Sequence, residues 1–155
     1  MDHTHHFAVA VEWTGDRGTG TSSYRAYGRD HTVTATGKHP IAGSSDRVFH
    51  GDADRWNPEE MLIAALSQCH LLSYLHVAAS HGIVVTAYTD DAVGTMEQTD
   101  DGGGHFTSVT LRPRVTIASG DPDAAEQLHE EAARKCFIAA SVNFPVAHDV
   151  TIVSA

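Results

Sequence analysis

The chain has 155 residues, 41% of them hydrophobic, which is enough for one domain with its own core. Asp and Glu outnumber Lys and Arg by 20 to 10, so the formal net charge is -10 and the basic surface that nucleic acids and anionic membranes require is excluded. The chain has two cysteines, no uninterrupted apolar run of about 18 residues, and no secretory signal pattern at its N-terminus. We therefore expect a single domain over residues 1–155, located in the cytoplasm, with no membrane or nucleic-acid partner.

The first third of the sequence predicts strands followed by a loop. Residues 6–14 alternate between apolar and polar, which predicts a strand that ends in a turn at 15–18. Residues 21–37 are rich in Thr, Tyr and Val and predict one or two further strands. Pro, Gly, Ser and Asp lie close together in residues 38–56, which predicts a long loop.

The strongest helix pattern follows this loop. Asn57 is a favourable N-cap, Pro58 suits the first helical position, and Glu60 is spaced to complete a capping box. Gly82 supplies the C-terminal stop. Apolar residues between these ends leave no clean polar face, so we predict that this helix is buried in the core.

The remainder predicts a hairpin, a second helix and a closing strand. Residues 83–98 and 105–118 flank a glycine-rich turn at 99–104, which is typical of a long β-hairpin. Residues 121–143 predict a helix that continues through Cys136 and stops before Pro145, and residues 148–155 predict a strand. The order of elements indicates an α+β fold, with two helices against antiparallel sheets.

Cys69 and Cys136 are the candidate reactive groups. Both fall in predicted helices, and the sequence alone allows either a redox couple or two packed, inert thiols. Cys69 lies about three turns into its helix, beyond the reach of the helix dipole, so an active thiolate here needs a cation from elsewhere. Glu59 precedes Cys69 by ten residues, or roughly 15 Å of helix, so the two cannot touch on one straight helix.

Twelve histidines raise the question of a metal site. His70, His76 and His81 fit no known ligand spacing, and residues 129–131 lack the second histidine that a zinc-protease helix requires. We therefore predict neither a metal nor a cofactor.

The run from Asn57 to Leu62, followed by an Ala-rich helix with Cys69-His70 and by a later second cysteine, resembles the OsmC/Ohr family of osmotically induced and organic hydroperoxide resistance proteins. The resemblance covers nearly the whole chain. It implies an intertwined α+β homodimer with antiparallel sheets wrapped around buried central helices. It also implies a thiol-dependent peroxidase that reduces organic hydroperoxides.

Roles for individual residues also come from this resemblance. Cys69 matches the peroxidatic cysteine, Cys136 the resolving cysteine, and Glu59 the carboxylate that orients an arginine against the thiolate. The motif does not locate that arginine. Arg25 is the first candidate, Arg47 the second and Arg17 the third. The family commonly has proline after its second cysteine, whereas Phe137 stands here.

The implied cycle passes through a Cys69 sulfenic acid and a Cys69–Cys136 disulfide, which a dithiol or a lipoylated protein then reduces. An alternative from another functional class stays open at this point. In it, the same fold serves as a non-enzymatic small-molecule or metal-binding domain with inert cysteines.

Overall fold

A computed structural model describes all 155 residues, which form two compact units, residues 1–61 and 62–155. The N-terminal unit holds an antiparallel three-stranded sheet made of β1 (Ala10–Trp13), β2 (His31–Thr34) and β3 (Ile41–Gly43). A short 3-10 helix follows at Arg47–Phe49. The segment predicted as a loop, 38–56, therefore contains β3 and this helix, and only the end of segment 21–37 is a strand. The prediction of one domain over the whole chain stays a prediction.

Helix α1 (Pro58–Ser80) begins and ends as its sequence predicts. The side-chain oxygen of Asn57 accepts a hydrogen bond from the backbone N–H of Glu60 at 2.8 Å, which satisfies a free donor of the first turn. At the other end Gly82 takes a left-handed φ of +73°. The N–H groups of Gly82 and Ile83 return to the carbonyls of Ala79 and Ala78, which is the Schellman arrangement.

Two sheets and a second helix complete the C-terminal unit. The strands and helix are β4 (Val84–Asp90), β5 (Val93–Gln98), β6 (Gly104–Leu111), β7 (Pro113–Ser119), α2 (Pro122–Lys135), β8 (Val146–His148) and β9 (Thr151–Ser154). The sheet orders are β4-β7-β9 and β5-β6-β8, and the last strand of each pairs in parallel. The α+β fold class is confirmed, with mixed rather than wholly antiparallel sheets.

The predicted hairpin is divided between these two sheets. Its β5 and β6 arms keep the turn at 99–103, whereas β4 and β7 pair in the other sheet. Pro113 has no N–H to continue the ladder, and the Asp90 carboxylate accepts the backbone N–H of Arg112 at 2.6 Å and the hydroxyl of Ser67. These contacts stabilise the point at which the chain passes from one sheet to the other.

The hydrophobic core lies entirely in the C-terminal unit. Its two clusters are centred on Tyr74 with Val115 and on Leu66 with Val109. Helix α1 is long and apolar enough to span a membrane by length and composition, but its polar side chains bond to neighbouring elements, as in a core helix of a soluble protein. Its burial is one-sided: Leu66, Tyr74 and Val77 are fully buried, whereas Leu72 is 64% exposed and Leu75 38%. The prediction of a helix buried all round is therefore wrong for a single chain.

Candidate active site

The two cysteines come from different helices and meet in the C-terminal unit. Cys69 lies in the middle of α1, and Cys136 directly follows the last residue of α2. Both are free thiols, and Cys69 lies close enough to Cys136 to raise the pKa of the Cys136 thiol. The structure therefore brings together the two residues that the sequence singled out.

The prediction that α2 continues through Cys136 is wrong. Helix α2 ends at Lys135, and Cys136 has extended backbone angles of φ -75° and ψ 111°. Its sulfur accepts the backbone N–H of Ala139 at 3.4 Å, at the start of a short 3-10 helix, Ala139–Ser141. This local side-chain bond competes with continuation of the helix. Phe137, next to it, is 82% exposed.

The two thiols differ in burial. Cys69 is half-buried, whereas Cys136 is 2% exposed. Burial first, and then the neighbouring Cys69 side chain, raise the pKa of the Cys136 thiol to about 11. Cys136 is consequently a protonated thiol at neutral pH, and it can donate to a thiolate at Cys69. Of the two, Cys69 is the sulfur that solvent and small solutes can reach.

Glu59 and Arg25 belong to the N-terminal unit. Oxygen Oε2 of Glu59 is excluded from solvent and has no hydrogen-bond partner, while Arg25 is exposed and forms no ion pair. A buried carboxylate oxygen without a partner is costly, so Glu59 needs a donor that this single chain does not provide. Arg47 is likewise exposed and without an ion pair, as is Arg17.

A cluster of three histidines lies beside the thiols and was not predicted from the sequence. His70 of α1 and His129 of α2 are 1% and 3% exposed, and Nε2 of the first lies 2.9 Å from Nδ1 of the second. The ring of His148 in β8 lies against His70, with 4.4 Å between ring centroids, and Tyr74 stacks on His129 at 3.8 Å. Three separate elements supply these rings, so no local spacing in the sequence reveals them.

The buried histidines are neutral. Burial is the main cause that lowers the pKa of His70 to about 3 and that of His129 to about 4, and neighbouring histidines lower both further. Burial also lowers the pKa of His148. Nitrogen Nδ1 of His70 and Nε2 of His129 have no hydrogen-bond partner.

A cavity of about 690 Å³ opens between α2 and β8. His129 and His148 form part of its wall, together with charged side chains that include Glu126, Glu130 and Arg134. No three His, Cys, Asp or Glu side chains of the chain are arranged to hold a metal ion. The cavity and the histidines thus do not form a metal centre in this geometry.

Comparison with known proteins shows what the chain is similar to. A family model described as OsmC-like protein matches residues 51–151. An OsmC-like protein of unknown function from Vibrio cholerae is 32% identical, with a TM-score of 0.82 over 95% of this chain and 99% of that one. Organic hydroperoxide resistance proteins from Elizabethkingia anophelis and Legionella pneumophila share the fold at 18% and 17% identity. Each has a TM-score of 0.66 over 97% of this chain and 99% of its own. No curated protein matches the sequence.

Proposed function

Because the chain belongs to the family of OsmC-like proteins, we propose that it is a thiol-dependent peroxidase that reduces organic hydroperoxides to alcohols. The observation that carries the proposal is the proximity of two free thiols from different helices, the half-buried Cys69 and the buried Cys136. Two solved proteins of the same fold are named organic hydroperoxide resistance proteins, which supports this substrate class.

The first step is attack by the Cys69 thiolate on the terminal oxygen of the hydroperoxide. The S–O bond forms as the O–O bond breaks, and the alkoxide leaves as alcohol after taking a proton. Cys69 is then a sulfenic acid. The protonated Cys136 thiol is close to Cys69, and a thiol that donates to the attacking thiolate stabilises it.

The second step joins the two cysteines. The Cys136 sulfur attacks the Cys69 sulfenic acid, the S–S bond forms, and the sulfenic oxygen leaves as water with the proton of Cys136. A dithiol or lipoylated protein then reduces this disulfide by thiol exchange and is itself oxidised to a disulfide.

Exposed apolar side chains close to the thiols support an alkyl hydroperoxide as substrate. Leu72 lies one helical turn after Cys69 and is 64% exposed, and Phe137 follows Cys136 at 82% exposed. Apolar surface of this kind binds an alkyl group and gives no advantage to hydrogen peroxide. We expect cumene hydroperoxide to react faster than hydrogen peroxide, and Phe137→Ser to reduce that difference.

Glu59 and Arg25 are the proposed charged partners of the thiolate, in a cytoplasmic homodimer. The buried Oε2 of Glu59 has no hydrogen-bond partner, and the exposed Arg25 guanidinium forms no ion pair and is free to supply one. The exposed apolar side chains of β1 and the exposed Leu75 of α1 lack a covering surface within one chain. Sedimentation equilibrium tests the dimer: a chain that remains monomeric at all concentrations would contradict it.

The test of the activity is consumption of cumene hydroperoxide with dihydrolipoamide as reductant. We expect Cys69→Ser to abolish turnover. Cys136→Ser should allow one turnover, after which Cys69 becomes over-oxidised. Wild-type consumption no faster than that of Cys69→Ser would refute the peroxidase proposal and favour a binding domain with inert thiols.

A further inference from the structure

Helices α1 and α2 are joined by polar side chains along two parallel rows. In one row, the Ser73 hydroxyl donates to the carbonyl of Ala132 at 2.8 Å, and Cys69 lies near Cys136. The numbers rise by four on α1 and fall by four on α2, which is the pattern of antiparallel helices in contact once per turn. The pairing of Cys69 with Cys136 therefore continues the four-residue spacing set by the Ser73–Ala132 bond.

The second row runs beside the first. His70 bonds His129, and the Tyr74 hydroxyl donates to the carbonyl of Ala125 at 2.8 Å. Here too the residue number rises by four on α1 and falls by four on α2. The His70–His129 bond lies in the turn next to the thiols, so it is the nearest side-chain contact that fixes how far α2 is displaced along α1.

The histidine pair fixes the distance between α1 and α2 at this turn. Both rings are neutral at pH 7, so one ring nitrogen donates and the other accepts in the single 2.9 Å bond. The rings cannot slide, because Tyr74 stacks on His129 and His148 packs on His70. Two ring nitrogens remain buried without partners. For stability alone, apolar residues would serve this place better, since unpaired buried polar atoms are unfavourable.

The position of α2 decides whether the thiols can join. Two cysteines form a disulfide only when their Cα atoms come within about 7 Å. Cys136 directly follows α2, so any displacement of the helix along its axis moves the cysteine by the same distance. One helical turn is about 5.4 Å, and a fraction of it suffices to separate the sulfurs.

We propose that His70 and His129 are positioning residues for the Cys69–Cys136 couple, because their bond fixes α2 against α1 at the displacement that keeps the two sulfurs in contact. The inference rests on the proposed function in one respect only, that the two cysteines form a disulfide. It assigns a role to two residues that touch neither substrate nor sulfur.

The test is the thiol–disulfide equilibrium of the full chain in a dithiothreitol redox buffer without peroxide. The double variant His70→Leu/His129→Leu keeps the volume and removes both polar partners. We expect its melting temperature to be equal or higher and its equilibrium constant for the Cys69–Cys136 disulfide to fall at least tenfold. His129→Asn places an amide where Nδ1 was, and should restore the constant to within about threefold of wild type.

Ser73→Ala and Tyr74→Phe are the matched variants, since each removes one hydroxyl from another contact of the same rows. Each should lower the equilibrium constant for the disulfide by less than the histidine double variant does. If the double variant does not fold, these two variants still test whether the contacts between α1 and α2 set that constant. Constants equal to wild type in folded variants, or a wild-type chain that forms no disulfide, would overturn the positioning role. Loss of peroxide turnover with a normal disulfide constant would instead refute the proposed activity alone.

Discussion

The two units of the chain differ in where their apolar side chains lie. Every buried hydrophobic residue belongs to residues 62–155, where the two core clusters form. In residues 1–61 no apolar side chain is fully buried, and many are exposed, including Phe7 at 94%, Val9 at 71% and Val11 at 65%. A three-stranded sheet with its apolar residues in solvent is not stable by itself. The C-terminal unit therefore carries the stability of the fold, and the N-terminal unit depends on a surface that covers it.

Acid should act on the C-terminal unit through its histidines, with the largest effect. The folded pKa values of His70 and His129, about 3 and 4, lie below the ordinary value of 6.5. The unfolded chain therefore binds protons first, so stability is full above pH 6.5 and is lost as the pH falls towards 3. We expect a loss of up to about 8 kcal/mol in the free energy of unfolding over this range, which is enough to unfold a typical domain.

Urea unfolding at a series of pH values measures this loss. The control replaces the exposed His3, His5 and His6 with alanine, and its pH profile should match that of wild type. His70→Leu/His129→Leu should flatten the profile between pH 6.5 and 4. A double variant with an unchanged profile would show that other groups cause the acid sensitivity.

A matched pair of valines compares the two units directly. Val77 in α1 is fully buried, whereas Val9 is 71% exposed. Val77→Ala should lower the free energy of unfolding by about 2–3 kcal/mol, because it removes buried methyl groups and leaves a cavity. In dilute solution Val9→Ala should change it by less than about 0.5 kcal/mol.

The same pair sharpens the dimer proposal when protein concentration is varied. Val9 directly precedes β1. If a second chain covers Val9 and this strand, the destabilisation by Val9→Ala should grow as dimer forms, while that of Val77→Ala should not change. Chemical denaturation at several protein concentrations provides the measurement. An effect of Val9→Ala that is independent of concentration would count against a partner on this strand.

A smaller effect than that of Val77→Ala is expected at the end of α1. Gly82 has a φ of +73° and no atom within 4 Å of an added Cβ, so its substitution strains only the backbone. We expect Gly82→Ala to cost about 1 kcal/mol. Gly37 in the N-terminal unit has a φ of +75° with equally open space, and Gly37→Ala is the matched control. Thermal unfolding of both separates backbone strain from the contribution of the Schellman turn.

Local signals in the sequence predicted α1 well. Its start at Pro58 and its end before Gly82 depend on neighbouring residues, and the structure confirms both. The division of the hairpin was not predictable, because it depends on Asp90 accepting bonds from Ser67 and from Arg112, which are distant in sequence. The end of α2 at Lys135 was missed because a thiol that caps the next turn leaves no familiar pattern.

Only part of the candidate site could be predicted from the sequence. Family resemblance selected Cys69 and Cys136, and the structure places them near each other in the C-terminal unit. The histidine cluster combines α1, α2 and β8, so no spacing along the chain encodes it. The roles of Arg25 and Glu59 stay predictions, since they concern charges that one chain leaves without partners.

The most direct test of the account is a peptide mass map of the protein after one equivalent of cumene hydroperoxide. The account predicts a single linked peptide pair containing Cys69 and Cys136, formed as the hydroperoxide is converted to alcohol and absent in Cys69→Ser. Two cysteines that remain fully titratable as free thiols after this treatment would contradict it.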